Sequence, residues 1–211
     1  MLSLVSVAGR ILDNGCGTGI LFEYLLKGKA AFGMDISPNM LKFAQQRWEK
    51  LILGDSQELP FKDGSFDLIV GRSLLHHLPK PRRGVAEMAR VLRDEGEVVV
   101  ADTNRSILSS IPRAIAKKGE HFSDDHQNLH RAQLVALLEE FFIIDHICHF
   151  GYFAYPLGFP DLIDLGKFLP YPVAVTKTLI KVDEWISKIP LIRTQSWGII
   201  IKGTKKGSNH G

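Results

Sequence analysis

Three glycines in five positions, Gly15, Gly17 and Gly19, follow a short apolar run that ends in an acid, in the stretch ILDNGCGTGI over residues 11–20. A turn so poor in Cβ atoms lets main-chain N–H groups approach a partner closely and lets the backbone enter left-handed conformations. RILD (10–13) before it reads as a strand and ILFEYLLKG after it as a helix, whose positive end then lies beside the turn. Dinucleotide-binding enzymes place G-x-G-x-x-G at such a turn. Here the third glycine comes one residue early and Ile20 follows it, so the pattern is D-x-G-x-G-x-G. Taken alone, the loop suits tight strand–helix geometry as well as a ligand, and Asp13 has no evident place in a core.

Downstream, strand-like and helical patterns alternate. AAFGMDI is a second strand, and Ser37 with Pro38 forms an N-cap and first helical position. The helix they open repeats Met40, Leu41, Ala44 and Trp48 on one side. KLILGD and FDLIVGRS read as the third and fourth strands. RRGVAEMARVLRDEG aligns Val85, Met88, Ala89 and Leu92, with Gly96 ending that helix, and EVVVADT is the fifth strand. This succession predicts a parallel sheet wrapped by helices on both faces. HRAQLVALLEE then reads as a helix, FFIIDHICHFGYF as a strand and WGIIIKG as the last strand. Between them, residues 155–194 are rich in proline and apolar residues. There Val175, Leu179, Val182, Ile186 and Ile189 follow the spacing of an amphipathic helix.

Two more strand ends carry polar residues. Asp35 closes the second strand, where a carboxylate can take both hydroxyls of a ribose. Asp55 and Ser56 follow the third strand in LGDSQELPF, within reach of an adenine edge. With the glycine turn they outline a nucleoside pocket along the carboxyl edge of the sheet.

On LDNGCGTG, GMDISPNML, GDSQELPF, FDLIVGRSLLHHL and EMARVLRDEGEVVVAD, the chain resembles class I S-adenosylmethionine-dependent methyltransferases, closest to the group that includes the quinone-biosynthesis methyltransferases. The match covers roughly residues 10–102. It implies a Rossmann-like, doubly wound α/β fold with a seven-stranded, mostly parallel sheet and a reversed last strand, so that 142–150 and 197–203 pair antiparallel. It implies S-adenosylmethionine as cofactor, with Asp13, Gly15, Gly17 and Gly19 along its methionine part and ribose. Asp35 then binds the ribose hydroxyls, Ile36 packs on the adenine, Asp55 faces the adenine amino group with Ser56 beside it, and Arg72 and Ser73 line the sulfonium end. Two departures stand out. Asn14 replaces a usually apolar residue, and only about nine residues precede the first strand where the family carries a covering helix, so the start is truncated or the cover comes from elsewhere.

Methyl transfer is an in-line displacement for which the protein mainly aligns the partners. A base is required only for a protonated, weakly nucleophilic acceptor. His76 is the candidate that faces the site, with His77 structural, bonding backbone at the start of the next helix. His126 and His130 are further candidate bases on the loop GEHFSDDHQNLH, which also reads as a solvated crossover capped by Ser123 or Asp124. His121, His126 and His130 with Asp124 and Asp125 match no firm metal spacing, and no metal is expected. Cys16 suits a small buried filler.

The 211 residues, with a net charge of +3 and two cysteines, read as one methyltransferase domain, 1–211, in a reducing, cytoplasmic setting. No basic track suggests nucleic acid. The expected partner is a small-molecule methyl acceptor. The insertion at about 155–194 reads both as helices that cap the sheet and as an apolar pocket or transient membrane-surface contact for a quinone- or lipid-like substrate. Two alternatives remain from sequence: a non-catalytic protein binding S-adenosylmethionine or S-adenosylhomocysteine, and an NAD-dependent oxidoreductase. The glycine spacing and the lack of a Tyr-x-x-x-Lys set weigh against the latter.

Overall fold

The computed structural model describes residues 9–23, 30–104, 106, 129–152 and 172–207. Its strands are β1 (Arg10–Asn14), β2 (Ala30–Asp35), β3 (Leu51–Leu53), β4 (Phe66–Arg72), β5 (Leu92–Thr103), β6 (Phe142–Phe150) and β7 (Gly198–Lys205). The described helices are α1 (Pro38–Ala44), α2 (Pro81–Val91), α3 (Arg131–Glu139), α4 (Pro172–Ile186) and α5 (Pro190–Arg193). The strands form one sheet in the order β3-β2-β1-β4-β5-β7-β6.

β1 pairs in parallel with both β2 and β4, β2 with β3, and β4 with β5. The strand order therefore reverses at β1, which makes the carboxyl ends of β1 and β4 the place where an open sheet leaves a crevice. The central strands are apolar without alternation. Ile11, Leu12, Leu68, Ile69, Val70, Val98 and Val99 are all fully buried, as a sheet covered on both faces requires. At the other edge, Trp197 N–H donates to the Gly151 carbonyl and Lys206 N–H to the Phe141 carbonyl. Numbers rise along β7 as they fall along β6, so that pair is antiparallel, as the resemblance implies.

Packing groups the chain into two compact units. One falls within Met1–Asp102, Ala132–Ile147 and Ile200–Gly211, the other within Thr103–Arg131 and Cys148–Ile199.

In the first unit, Ser37 is the N-cap of α1: its backbone is extended and its hydroxyl accepts the Met40 N–H at 3.3 Å, with Pro38 in the first turn. Leu41 and Ala44 face inward, whereas Met40 is exposed. Trp48 lies beyond the helix, stacks on Phe22 with ring centres 4.8 Å apart, and donates its indole N–H to the Ala31 carbonyl at 2.9 Å. Backbone is helical at residues 20–23, and 24–29 lie outside the described residues.

α2 ends five residues sooner than its sequence pattern suggests. It stops at Val91, and Leu92 already pairs with Phe66 of β4. The next paired position is Glu97 with Leu68, so residues 93–96 bulge out of β5, with Glu95 in a left-handed conformation at φ 57°. Gly96 serves this bulge rather than a helix end, since a Cβ there would lie 2.8 Å from the Arg93 carbonyl oxygen. Leu92 satisfies a helical spacing and a strand pairing equally, and the pairing prevails.

In the second unit, α4 and α5 occupy the chain between β6 and β7. The apolar spacing of α4 is only partly honoured. Val182 is exposed, and Asp183 is buried instead because its carboxylate accepts the Tyr152 N–H at 3.0 Å. Residues 155–171 of the 155–194 insertion lie outside the described residues. No helix among the described residues is long and apolar enough to cross a membrane.

Candidate functional site

At the carboxyl end of β1 the chain turns through Gly15, Gly17 and Gly19, with φ of +74°, +55° and +77°. The three are not equivalent. A Cβ on Gly15 would lie 2.9 Å from the Leu74 side chain and one on Gly19 3.1 Å from Ala44, whereas one on Gly17 meets nothing within 4 Å. Gly15 and Gly19 are therefore packing glycines, and Gly17 presents bare backbone to open space. The turn is fastened to β2 by the N–H groups of Gly15 and Cys16, which both donate to the Met34 carbonyl, at 2.8 and 2.9 Å.

Asp35 ends β2 half-buried. Its Oδ2 accepts the Gly17 N–H at 2.8 Å and its Oδ1 the Ser37 N–H at 2.8 Å. Each oxygen keeps a lone pair for a further hydrogen bond. Ile36 beside it is 68% exposed, an open apolar surface of the size a flat ring can cover. Asp55, after β3, accepts the Gln57 N–H at 2.8 Å.

Ser56 turns inward. It is buried and its hydroxyl donates to Asn14 Oδ1 at 2.8 Å, so its side chain holds the β1 end instead of standing beside Asp55 at the surface. This contact also accounts for Asn14, the polar residue in an apolar strand position.

Asp13 is fully buried, and neither carboxylate oxygen has a hydrogen-bond partner. Burial pushes its pKa up from 3.8 to about 7, with Arg72 pulling it down and Asp35 adding a smaller upward push. A buried acid without a donor is costly, and a cation entering the crevice would relieve it. The same burial, with Asp13 and Asp35 nearby, raises the Cys16 thiol to about 12. Cys16 is thus a protonated, buried filler. Arg72 at the end of β4 is exposed, and Ser73 after it sits in a left-handed conformation at φ 52°, its N–H donating to the Ala101 carbonyl at 2.7 Å.

The next residues turn once, over Leu75–His77. His76 is buried and its Nδ1 is paired with Asp102 Oδ1, while Asp102 Oδ2 accepts the Leu75 N–H at 2.9 Å. The carboxylate accepts from Nδ1 and so fixes the orientation of the His76 ring. His77 is the exposed member of the pair, its ring centre 4.1 Å from that of His76. His77, the one expected to bond backbone at the start of the next helix, is thus the more open of the two. Asp102 was not visible as a site residue in the sequence, because only the β4–β5 pairing brings it to His76. His130 is described and exposed, directly before α3, whereas His121 and His126 lie outside the described residues. Among the described residues, no three His, Cys, Asp or Glu side chains group as metal ligands would.

Comparison with known proteins finds methyltransferases. Residues 12–100 match a family model described as a methyltransferase domain. A phosphatidylethanolamine N-methyltransferase of Cereibacter sphaeroides is 35% identical over 120 residues, 52% of this chain and 59% of that one. A demethylmenaquinone methyltransferase of Renibacterium salmoninarum is 38% identical over 96 residues, 44% of this chain and 40% of that one. The matched part thus spans less than two thirds of either relative. A crystal structure of an S-adenosylmethionine-dependent methyltransferase from Thermotoga maritima superposes with a TM-score of 0.68 at 20% identity, covering 97% of this chain and 87% of that one.

Proposed function

We propose that the chain, whose residues 12–100 match a methyltransferase-domain model, is a class I S-adenosylmethionine-dependent methyltransferase that moves a methyl group from S-adenosylmethionine to a small, apolar acceptor of the quinone or lipid kind. The observation that carries the cofactor assignment is Asp13, a fully buried carboxylate without a partner at the foot of the open Gly17 turn. It fits the cationic amino-acid end of this nucleoside. The two aimed oxygens of Asp35 fit its ribose diol, and exposed Ile36 with Asp55 fits an adenine face and edge. Phosphatidylethanolamine and demethylmenaquinone, the compounds in the relatives' names, support the acceptor class.

Bound S-adenosylmethionine supplies an electrophilic methyl carbon on a sulfonium. Everything else is asked of the chain. Gly15 and Gly19 hold the turn closed against Leu74 and Ala44, so that Gly17 offers backbone at a fixed place. Arg72 and Ser73 line the far end of the crevice, with the Ser73 backbone pinned to β5. His76, oriented by Asp102, takes the proton of a hydroxyl acceptor at Nε2, and the paired carboxylate stabilises the imidazolium that results. Such a base contributes about 10²–10⁴-fold where the acceptor must lose a proton. The free thiols of Cys16 and Cys148 support a reducing, cytoplasmic setting.

The test is transfer of labelled methyl from S-adenosylmethionine to a demethylated quinol and to phosphatidylethanolamine, extracted into organic solvent and counted. The reading predicts label in at least one acceptor, abolished by Asp35→Ala and cut at least tenfold by His76→Ala. Tight binding of S-adenosylmethionine with no label in any acceptor would overturn the transferase reading in favour of a binding protein.

A further inference from the structure

A second polar centre lies wholly within the other unit, organised by Asn104. Asn104 is buried. Its N–H donates to the Trp197 carbonyl at 2.8 Å, its amide nitrogen to the Thr194 and Ser196 carbonyls at 3.0 and 3.1 Å, and its Oδ1 accepts the Arg131 N–H at 3.2 Å. One side chain thus fastens the start of α3 to the segment 194–197. His149 of β6 joins the group through Nδ1 and the buried Ser196 hydroxyl, 3.1 Å apart. Arg193 is held beside it by its own carbonyl, which accepts the Tyr152 hydroxyl at 2.8 Å.

The electrostatics of this centre are one-sided. Arg131 and Arg193 are both close enough to His149 to lower its pKa, which burial first and the two guanidiniums second bring down to about 4. Arg131 Nε is buried without a hydrogen-bond partner. The ion pairs among the described residues engage other arginines and lysines, and none includes Arg131 or Arg193. Asp183, a buried acid among the described residues of this unit, accepts the Tyr152 N–H. Arg193 is exposed, so the group opens to solvent. Two guanidiniums that no carboxylate among the described residues pairs with, one with a buried N–H lacking an acceptor, are the complement of an oxyanion.

We infer that Arg131, Arg193 and His149 form a binding site for a phosphate group, either free or carried as an ester by a larger ligand. Two positive charges match a phosphate monoester, which is close to a dianion at neutral pH, better than they match a single carboxylate. The guanidinium forks can each grip a pair of its oxygens. An anion seated there would favour the charged imidazole, adding a donor from His149. The site stands apart from the methyl-transfer reading and does not depend on it.

Calorimetric titration with inorganic phosphate, phosphorylethanolamine and acetate, on wild type, Arg193→Gln and Arg131→Lys, tests this directly. Arg193 is exposed, so its replacement leaves the fold intact. The expected result is phosphate binding with a Kd at or below about 1 mM, weakened about tenfold in each variant, and no comparable acetate binding. Phosphate should also raise the His149 titration midpoint, followed by NMR of its ring protons, in wild type but not in Arg193→Gln. A monoester binding more tightly than inorganic phosphate identifies an ester as the ligand, and equal affinities identify the free ion. No phosphate binding, or binding indifferent to both substitutions, overturns the inference. Titration of the same samples with S-adenosylhomocysteine reports on the other site separately.

Discussion

Replacing Asp13 by Asn should stabilise the protein at alkaline pH while weakening its ligand binding. The argument starts from burial. Full desolvation holds the Asp13 carboxyl at about 7 against an ordinary 3.8. The folded state therefore keeps a proton that the unfolded chain has released. Stability from this group is complete below pH 4, falls as pH rises, and is lost once pH passes about 7. At about 1.4 kcal/mol per unit, the whole span costs the folded protein about 4 kcal/mol at pH 8 but only about 1.6 kcal/mol at pH 5. Asn has the same shape and no charge, so Asp13→Asn escapes the penalty. Urea unfolding followed by tryptophan fluorescence should find the variant's advantage over wild type larger at pH 8 than at pH 5 by about 2.5 kcal/mol. S-adenosylhomocysteine, bringing a cation to the carboxylate, should raise the wild-type midpoint at pH 8 and do much less for the variant. An advantage independent of pH, or a variant destabilised at pH 8, would refute the claim that Asp13 is held there at a cost to the free protein.

Two contrasts probe the scaffold. Gly17→Ala meets no neighbouring atom but must hold φ +55°, so it should cost about 1 kcal/mol of stability and weaken nucleoside binding well beyond that. Gly33→Ala places a Cβ 2.8 Å from both Leu51 and Phe22, so it should lower the unfolding midpoint by about 1–3 kcal/mol, the reverse emphasis. Arg90 donates to the Leu59 and Phe61 carbonyls and pairs with Glu87 and Asp63, so Arg90→Met should cost about 2 kcal/mol and loosen residues 59–63 to proteolysis. Its Glu87 partner has a lowered pKa, chiefly through the Arg90 hydrogen bond. That part of the stability is present above the ordinary glutamate range and fades as acid protonates Glu87, which a pH series on the Arg90→Met background should no longer show.

Much of this architecture was legible because short-range chemistry agrees with the global fold. Ser37–Pro38 announces α1, and the glycine turn and the acids ending β1 and β2 announce the switch point of the sheet. What escaped depends on pairing between distant segments. Adjacent histidines look alike in sequence, and only Asp102, on the neighbouring strand, decides that His76 is the inward one. Asn14 and Ser56 read as two separate features until the hydroxyl of one was found donating to the amide of the other. Leu92 fits a helix spacing and a strand equally, so the end of α2 is settled by Phe66. In α4, Val182 fits the apolar spacing yet faces out, because Asp183 is drawn in by Tyr152. Arg131, His149 and Arg193 share no motif at all; Asn104 gathers them.

The measurement closest to the central claim is calorimetric titration of the protein with S-adenosylmethionine, S-adenosylhomocysteine and NAD, on wild type and Asp35→Ala. Binding of the two sulfur nucleosides in the micromolar range, absent for NAD and lost in Asp35→Ala, is what the account predicts. NAD binding in their place, or sulfur-nucleoside binding that survives Asp35→Ala unchanged, would contradict it.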